Sequence, residues 1–182
     1  MWIYIIVVII AILLIYTLTA YNSLIKCQNR VEEAFATMDV YLKKRWDLIP
    51  NLVESVKGYA KHEDHLLKEI VELRSGTYDQ ISTADKANVD ARLSHAIGGL
   101  LAIAEAYPDL KASENFKDLS RQLAAIEEDI ANARKYYNAT ARIMNDKVRT
   151  FPGNLVAGIF GFKTQNMFET DESERQNIQI KL

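Results

Sequence analysis

Residues Trp2–Tyr21 read WIYIIVVIIAILLIYTLTAY, a run rich in Ile, Val and Leu without a single charged side chain. A helix of that length rises about 1.5 Å per residue and covers roughly 30 Å, the thickness of a bilayer core. Aromatic residues bracket it, Trp2 and Tyr4 at one end and Tyr16 and Tyr21 at the other, as membrane-anchoring belts do. No Lys or Arg precedes the run, which is also longer than the apolar core of a signal peptide, so a retained anchor is expected. The first bases, Lys26 and Arg30, follow at once, and Lys43, Lys44 and Arg45 come soon after. The positive-inside rule then predicts a short external N-terminus and a cytoplasmic remainder, hence a single-pass protein of a cytoplasmic membrane.

Working outward, nothing between Tyr21 and Arg45 breaks a helix. The positions Leu24, Gln28, Val31, Phe35, Met38 and Leu42 keep alternating three- and four-residue spacing. The membrane helix is therefore expected to run straight into the next domain. Pro50 removes a backbone donor and disfavours helix at Ile49, which predicts a kink or turn near Trp46 to Asn51, with Asp47 as a cap. A second helix should follow, with Leu52, Val56, Tyr59, Leu66, Ile70 and Leu73 on its seam, then a polar loop from Ser75 to about Ala84. A third carries Val89, Leu93, Ala96, Leu100, Ile103 and Tyr107, with Gly98-Gly99 permitting a close helix contact, and stops at Pro108-Asp109. Ser113 can cap a fourth, whose seam runs Phe116, Leu119, Leu123, Ile126, Ile130, Ala133, Tyr137, Thr140, Met144 and Val148 until Phe151-Pro152-Gly153.

These periods predict an all-α fold: an N-terminal transmembrane helix continuous with an antiparallel up-and-down four-helix bundle with coiled-coil-like packing. The expected division is an anchor helix over 1–21, a cytoplasmic helical bundle over 22–162 and a polar tail over 163–182. Seven glycines and three prolines in 182 residues offer little of the punctuation a many-stranded fold needs. The formal charge of -2 comes from 22 bases and 24 acids that are interspersed, with no basic stripe, which argues against nucleic acid as a partner. One cysteine, Cys27, cannot form an internal disulfide and reads as a small apolar helix residue.

Catalytic patterns are missing from the sequence. His62, Glu63 and His65 have metal-ligand chemistry, but their histidines stand three apart, without the spacing by which one helix presents two to zinc. The acidic runs Glu32-Glu33, Glu63-Asp64 and Glu127-Glu128-Asp129 lack the Glu-x-x-His partners of a di-metal bundle and read as solvated faces. With no phosphate loop, nucleophile elbow or Cys-His pair, the expectation is a non-enzyme without cofactor or metal. Two features stand out as candidate membrane or partner contacts. One is the basic cluster Lys43, Lys44, Arg45 with Trp46. The other is the uncharged, Gly-punctuated segment Phe151 to Phe162, with Phe151, Leu155, Ile159, Phe160 and Phe162 as its large apolar groups.

Three stretches are more specific than generic helix. They are Tyr21-Asn22-Ser23-Leu24 with Asn29-Arg30-Val31-Glu32-Glu33-Ala34 and the run Asp39 to Ala60; then Glu105-Ala106-Tyr107-Pro108-Asp109-Leu110 through Phe116; then Ala133-Arg134-Lys135-Tyr136-Tyr137-Asn138 with Phe151-Pro152-Gly153-Asn154-Leu155-Val156-Ala157 through Phe162. In order and over nearly the whole chain, they resemble the LemA family, departing at Ser75 to Asp85 and at Ala141 to Asn145. The resemblance implies a bacterial membrane protein with a cytoplasmic helical bundle, and it supplies no reaction. The expected role is a membrane-anchored scaffold that self-associates on the lipid bilayer and organises or shapes it. The alternative is an adaptor for another membrane protein, such as a protease or transport component in envelope stress, with Pro108 to Phe116 and Phe151 to Phe162 as its contacts.

Overall fold

The computed structural model describes residues 1–59, 64–73 and 78–168. Among them it is all-α, with no strand and six α-helices: α1 (Trp2–Lys57), α2 (Asp64–Leu73), α3 (Thr83–Ala106), α4 (Pro108–Ala112), α5 (Glu114–Arg149) and α6 (Gly153–Phe160). A 3₁₀ turn at Tyr78–Gln80 precedes α3. Two compact units result, one made of Met1–Ala36 with the described residues from Ala133 onward, the other of Thr37–Asn132.

The expected break at Trp46 to Asn51 does not occur: α1 is a single helix of 56 residues with Pro50 inside it. A proline in a helix interior costs about 3 kcal/mol. Burial on both sides of it offsets that cost, since Trp46, Leu48, Ile49, Leu52 and Val53 are all in the core. Asp47 consequently caps nothing and pairs one turn back with Lys43 at 2.6 Å. Leu52 and Val56 close the seam of α1 and do not open a second helix; the next described helix is α2.

The heptad pattern itself is carried into the core. On α1 the positions Leu24, Val31, Met38, Arg45 and Leu52 recur every seven residues and are all buried, as are Phe116, Leu123, Ile130, Tyr137 and Met144 on α5. A seven-residue period is the spacing that keeps one stripe of a helix facing its neighbours. Ser82 caps α3 by accepting a hydrogen bond from the Asp85 amide, 3.1 Å away. That helix runs to Ala106 and packs against α2 and the short α4. Pro108 occupies the first turn of α4, where its missing N–H costs nothing. Gly98, expected at a close helix contact, is exposed, and a β-carbon there would meet nothing within 4 Å.

Gly153 is the glycine that a close approach does require. A β-carbon at that position would lie 2.8 Å from the Lys147 carbonyl oxygen, so the end of α5 and the start of α6 can come together only with hydrogen there. Gly161, at φ 74°, ends α6 in the left-handed region, and the Phe162 amide donates back to the Ala157 carbonyl at 2.9 Å. Gly153→Ala is expected to lower the stability of the first unit by about 1–3 kcal/mol through overpacking, read as a lower midpoint in thermal unfolding followed by circular dichroism.

Candidate functional site

The candidate contacts and the polar groups around them fall into three sets with different surroundings. The basic cluster is split. Lys43 and Lys44 stay at the surface, Lys43 on Asp47 and Lys44 with its ammonium 5.2 Å from the Tyr41 ring centroid. Arg45 and Trp46 are buried, 1% and 5% exposed, and are withdrawn from any membrane or partner surface. The reason is their register, because Arg45 occupies a core step of the α1 heptad.

Around Arg45 the second unit builds a polar centre from three helices. Its Nη2 pairs with the carboxylate of Asp90 on α3 and also reaches the Asp90 carbonyl at 3.3 Å. Its Nη1 donates to Ser94 Oγ at 2.8 Å and to Glu127 Oε1 on α5 at 3.0 Å. Asp90 is buried, whereas Glu127 keeps 35% of its side chain exposed. A guanidinium suits this position because its planar fork serves several acceptors without losing its charge.

Next to it, Trp46 stacks on Tyr78 at 5.5 Å, and the Tyr78 hydroxyl donates to Asp39 Oδ1 at 2.6 Å. Lys86 closes the set with a bond to the same carboxylate at 2.7 Å. Burial first, then the hydrogen bond to Asp39, hold the Tyr78 hydroxyl protonated far above its ordinary range. The groups of this centre bond mainly to one another, while the Arg45 Nε is buried without a hydrogen-bond partner.

The first unit holds a different device. Asn138 and Asn145, seven residues apart on α5, each make a two-bond pairing with the main chain of the extended segment after α6. Asn145 Nδ2 donates to the Gln165 carbonyl at 2.9 Å and its Oδ1 accepts from the Gln165 amide at 2.6 Å. Asn138 does the same with Phe168 at 3.0 and 2.9 Å. Seven helical residues rise about 10.5 Å and three extended ones about 10 Å, so the two clamps are in register with a segment running back along α5. Tyr137 adds a bond from its hydroxyl to the Asn166 carbonyl at 2.9 Å and an edge contact with Phe168 at 5.4 Å. Burial raises the Tyr137 pKa, consistent with a hydroxyl that serves as a donor.

The third set surrounds the end of the apolar run. Phe160 packs at a tilt and Phe162 edge-on against Tyr21, at 4.8 and 5.7 Å between ring centroids, and Lys147 bonds the Ser23 hydroxyl. The helix α6 buries Val156 and Ala157 on one side, where Phe160 is half-exposed, and leaves Leu155 and Ile159 exposed on the other, with Phe151 exposed just before it. Trp2, Tyr4 and every large apolar side chain from Ile3 to Ile15 are exposed, while Tyr16 lies at the border of exposure and Tyr21 is half-buried.

His62 and Glu63 lie outside the described residues, and His65 is exposed. Among the described residues no three His, Cys, Asp or Glu side chains gather as a metal site. Sequence reading missed the Asp90 and Glu127 partners of Arg45 and both asparagine clamps. The signal for the first was available, since Arg45 lies seven residues beyond Met38.

The model of the LemA family matches residues 34–182, and the chain belongs to that family. It is 27% identical over 158 residues to Protein LemA of Metamycoplasma hominis, covering 86% of this chain and 72% of that protein. It is also similar to Magnetosome protein MamQ 2 of Paramagnetospirillum magneticum, 25% identical over 178 residues and covering 84% of this chain. With Magnetosome protein MamQ of Magnetospirillum gryphiswaldense the identity is 26% over 177 residues, covering 83% of this chain. The chain spans 65% of the length of each of these two magnetosome proteins.

Two outcomes test the polar centre and the clamps. Asp90→Ala, which strands Arg45, should cost about 3–5 kcal/mol in urea unfolding in mild detergent, and an Arg45→Met, Asp90→Leu pair should regain most of it. Replacing Asn138 and Asn145 with Ala should speed hydrogen exchange at the Gln165 and Phe168 amides about tenfold without changing helix content.

Proposed function

We propose that this protein is a membrane-anchored, non-enzymatic scaffold that self-associates and organises the membrane in which it sits. The observation that carries this reading is α1, a single helix of 56 residues. Its N-terminal part is apolar, with mean hydropathy 2.8 and no part of that window buried in the protein. Its C-terminal part supplies the core seam through Arg45, Leu52 and Val56. A helix that is apolar all round needs a lipid or protein surround, and one of this length suits a bilayer. Lys26, Arg30, Lys43 and Lys44 follow the run and favour an external N-terminus with the helical part in the cytoplasm of a bacterial cell. There α1, α2, α3 and α5 would form an up-and-down bundle.

Family membership supports the reading in one respect: the relatives are named for a protein family or for the magnetosome, an assembly, and not for a reaction. An adaptor role has one observation in its favour, an open depression on the second unit lined by Leu101, Ala104, Phe116, Glu105, Lys111 and Arg121. Its apolar floor and mixed-charge rim suit a partner helix.

Light scattering on the full-length chain in mild detergent separates the two. The scaffold predicts a protein mass that is a defined multiple of 20.7 kDa. A monomer at all concentrations would remove self-association and favour the adaptor.

A further inference from the structure

Within the first unit, α6 shares the depth of the last turns of the apolar run. Its C-terminal end is pinned to Tyr21 through Phe160, 4.8 Å between ring centroids. Its N-terminal end, Phe151 to Gly153, lines a depression together with Tyr16, Thr19, Ala20 and Ser23. Both ends of the helix therefore lie beside the point where α1 passes from uncharged to charged sequence. No charged residue occurs from Phe151 to Phe162, yet α6 leaves large apolar groups uncovered: Phe151 is 73% exposed, Leu155 58% and Ile159 76%. Leu155 and Ile159, four apart on α6, share one face, Phe151 stands exposed just before the helix, and Val156 and Ala157 on the other side are buried. The bases Lys26, Arg149 and Lys163 are exposed in the same unit and flank the two apolar segments. An apolar stripe on a short helix with bases at its borders is the composition of an element lying in the headgroup region, its apolar side about 5–10 Å into the acyl boundary.

We propose that α6 is a second membrane contact: it lies in the plane of the bilayer interface beside the span and inserts Phe151, Leu155 and Ile159 among lipid acyl chains, with Lys26, Arg149 and Lys163 meeting anionic headgroups. This rests on reading Trp2–Tyr21 as a bilayer span and deepens it. A span alone leaves the chain free to swivel about its axis, whereas a second insertion to one side of it fixes which face of the protein is turned to the lipid surface.

The test uses the full-length chain in vesicles of phosphatidylcholine and phosphatidylglycerol whose acyl chains are brominated. A fluorophore is placed on one cysteine at a time in a Cys27→Ala background, at Leu13→Cys in the span, Ile159→Cys on α6 or Tyr136→Cys on the exposed side of α5. Expected is strong quenching at Leu13, a fall of about twofold or more at Ile159 and none at Tyr136. Leu155→Cys repeats the α6 measurement in case a label at Ile159 disturbs its own site. Quenching at Leu13 with Ile159 and Leu155 behaving like Tyr136 overturns the inference and leaves the span standing. Absence of quenching at Leu13 removes the span reading and the inference with it. Labels on α6 that ignore brominated lipid but self-quench as the protein-to-lipid ratio rises would assign the stripe to a second copy, which also overturns it.

Discussion

A guanidinium taken out of water has to be surrounded by acceptors, and that requirement at Arg45 organises the second unit. The charge cannot be relieved by losing a proton, so the two helices that face it must deliver oxygen atoms to a fixed plane. Asp90 and Ser94 come from successive turns of α3 and Glu127 from α5, which fixes the rotation of both helices about their axes relative to α1. Apolar packing alone is permissive, since a Leu or Ile stripe can slide or rotate by a few degrees at small cost. A forked donor with directional bonds is not permissive, and a polar step inside a heptad seam is a known means of setting register. The continuity of α1 through Pro50 belongs to the same region, where Arg45, Trp46 and Ile49 are all buried.

Much of this architecture was legible in the periodicity. The seams on α5 and on the first part of α1 were read almost residue by residue, because a buried stripe leaves a seven-residue repeat that few other structures produce. The end of α3 before Pro108 and the end of α5 before Phe151-Pro152-Gly153 were likewise signalled by residues with fixed backbone consequences. Pro50 was misread for the complementary reason: its local cost is visible in sequence, while the burial that outweighs it comes from helices far away in the chain. Arg45 was misread because adjacency to Lys43 and Lys44 suggested a cluster, although neighbouring positions on a helix point about 100° apart. The asparagine clamps were not legible at all. Their partners are main-chain groups of an extended segment, which carry no side-chain code.

The two units thus use polar chemistry in opposite ways. In the second unit, charge is buried and locks helices together through ion pairs. In the first, amides tie down a stretch of chain that follows α6 and forms no regular structure of its own. Between Arg149 and Gln165 the chain therefore has its ends held, with Gly153 allowing the close turn at one side and Gly161 the left-handed turn at the other. Such fixation is what a short helix with an exposed apolar side needs, since isolated helices of that length are unstable in water.

The clamps also have an evolutionary consequence. Asn138 and Asn145 recognise only the amide and carbonyl that every residue but proline possesses, so position 165 can drift through almost the whole alphabet without loosening the segment, while position 168 also answers to the ring contact with Tyr137. The asparagines enjoy no such freedom, because an aspartate cannot donate and a leucine can neither donate nor accept. Selection on this part of the chain would then fall on two helix positions and on the Tyr137–Phe168 ring pair, leaving Gln165 free to diversify.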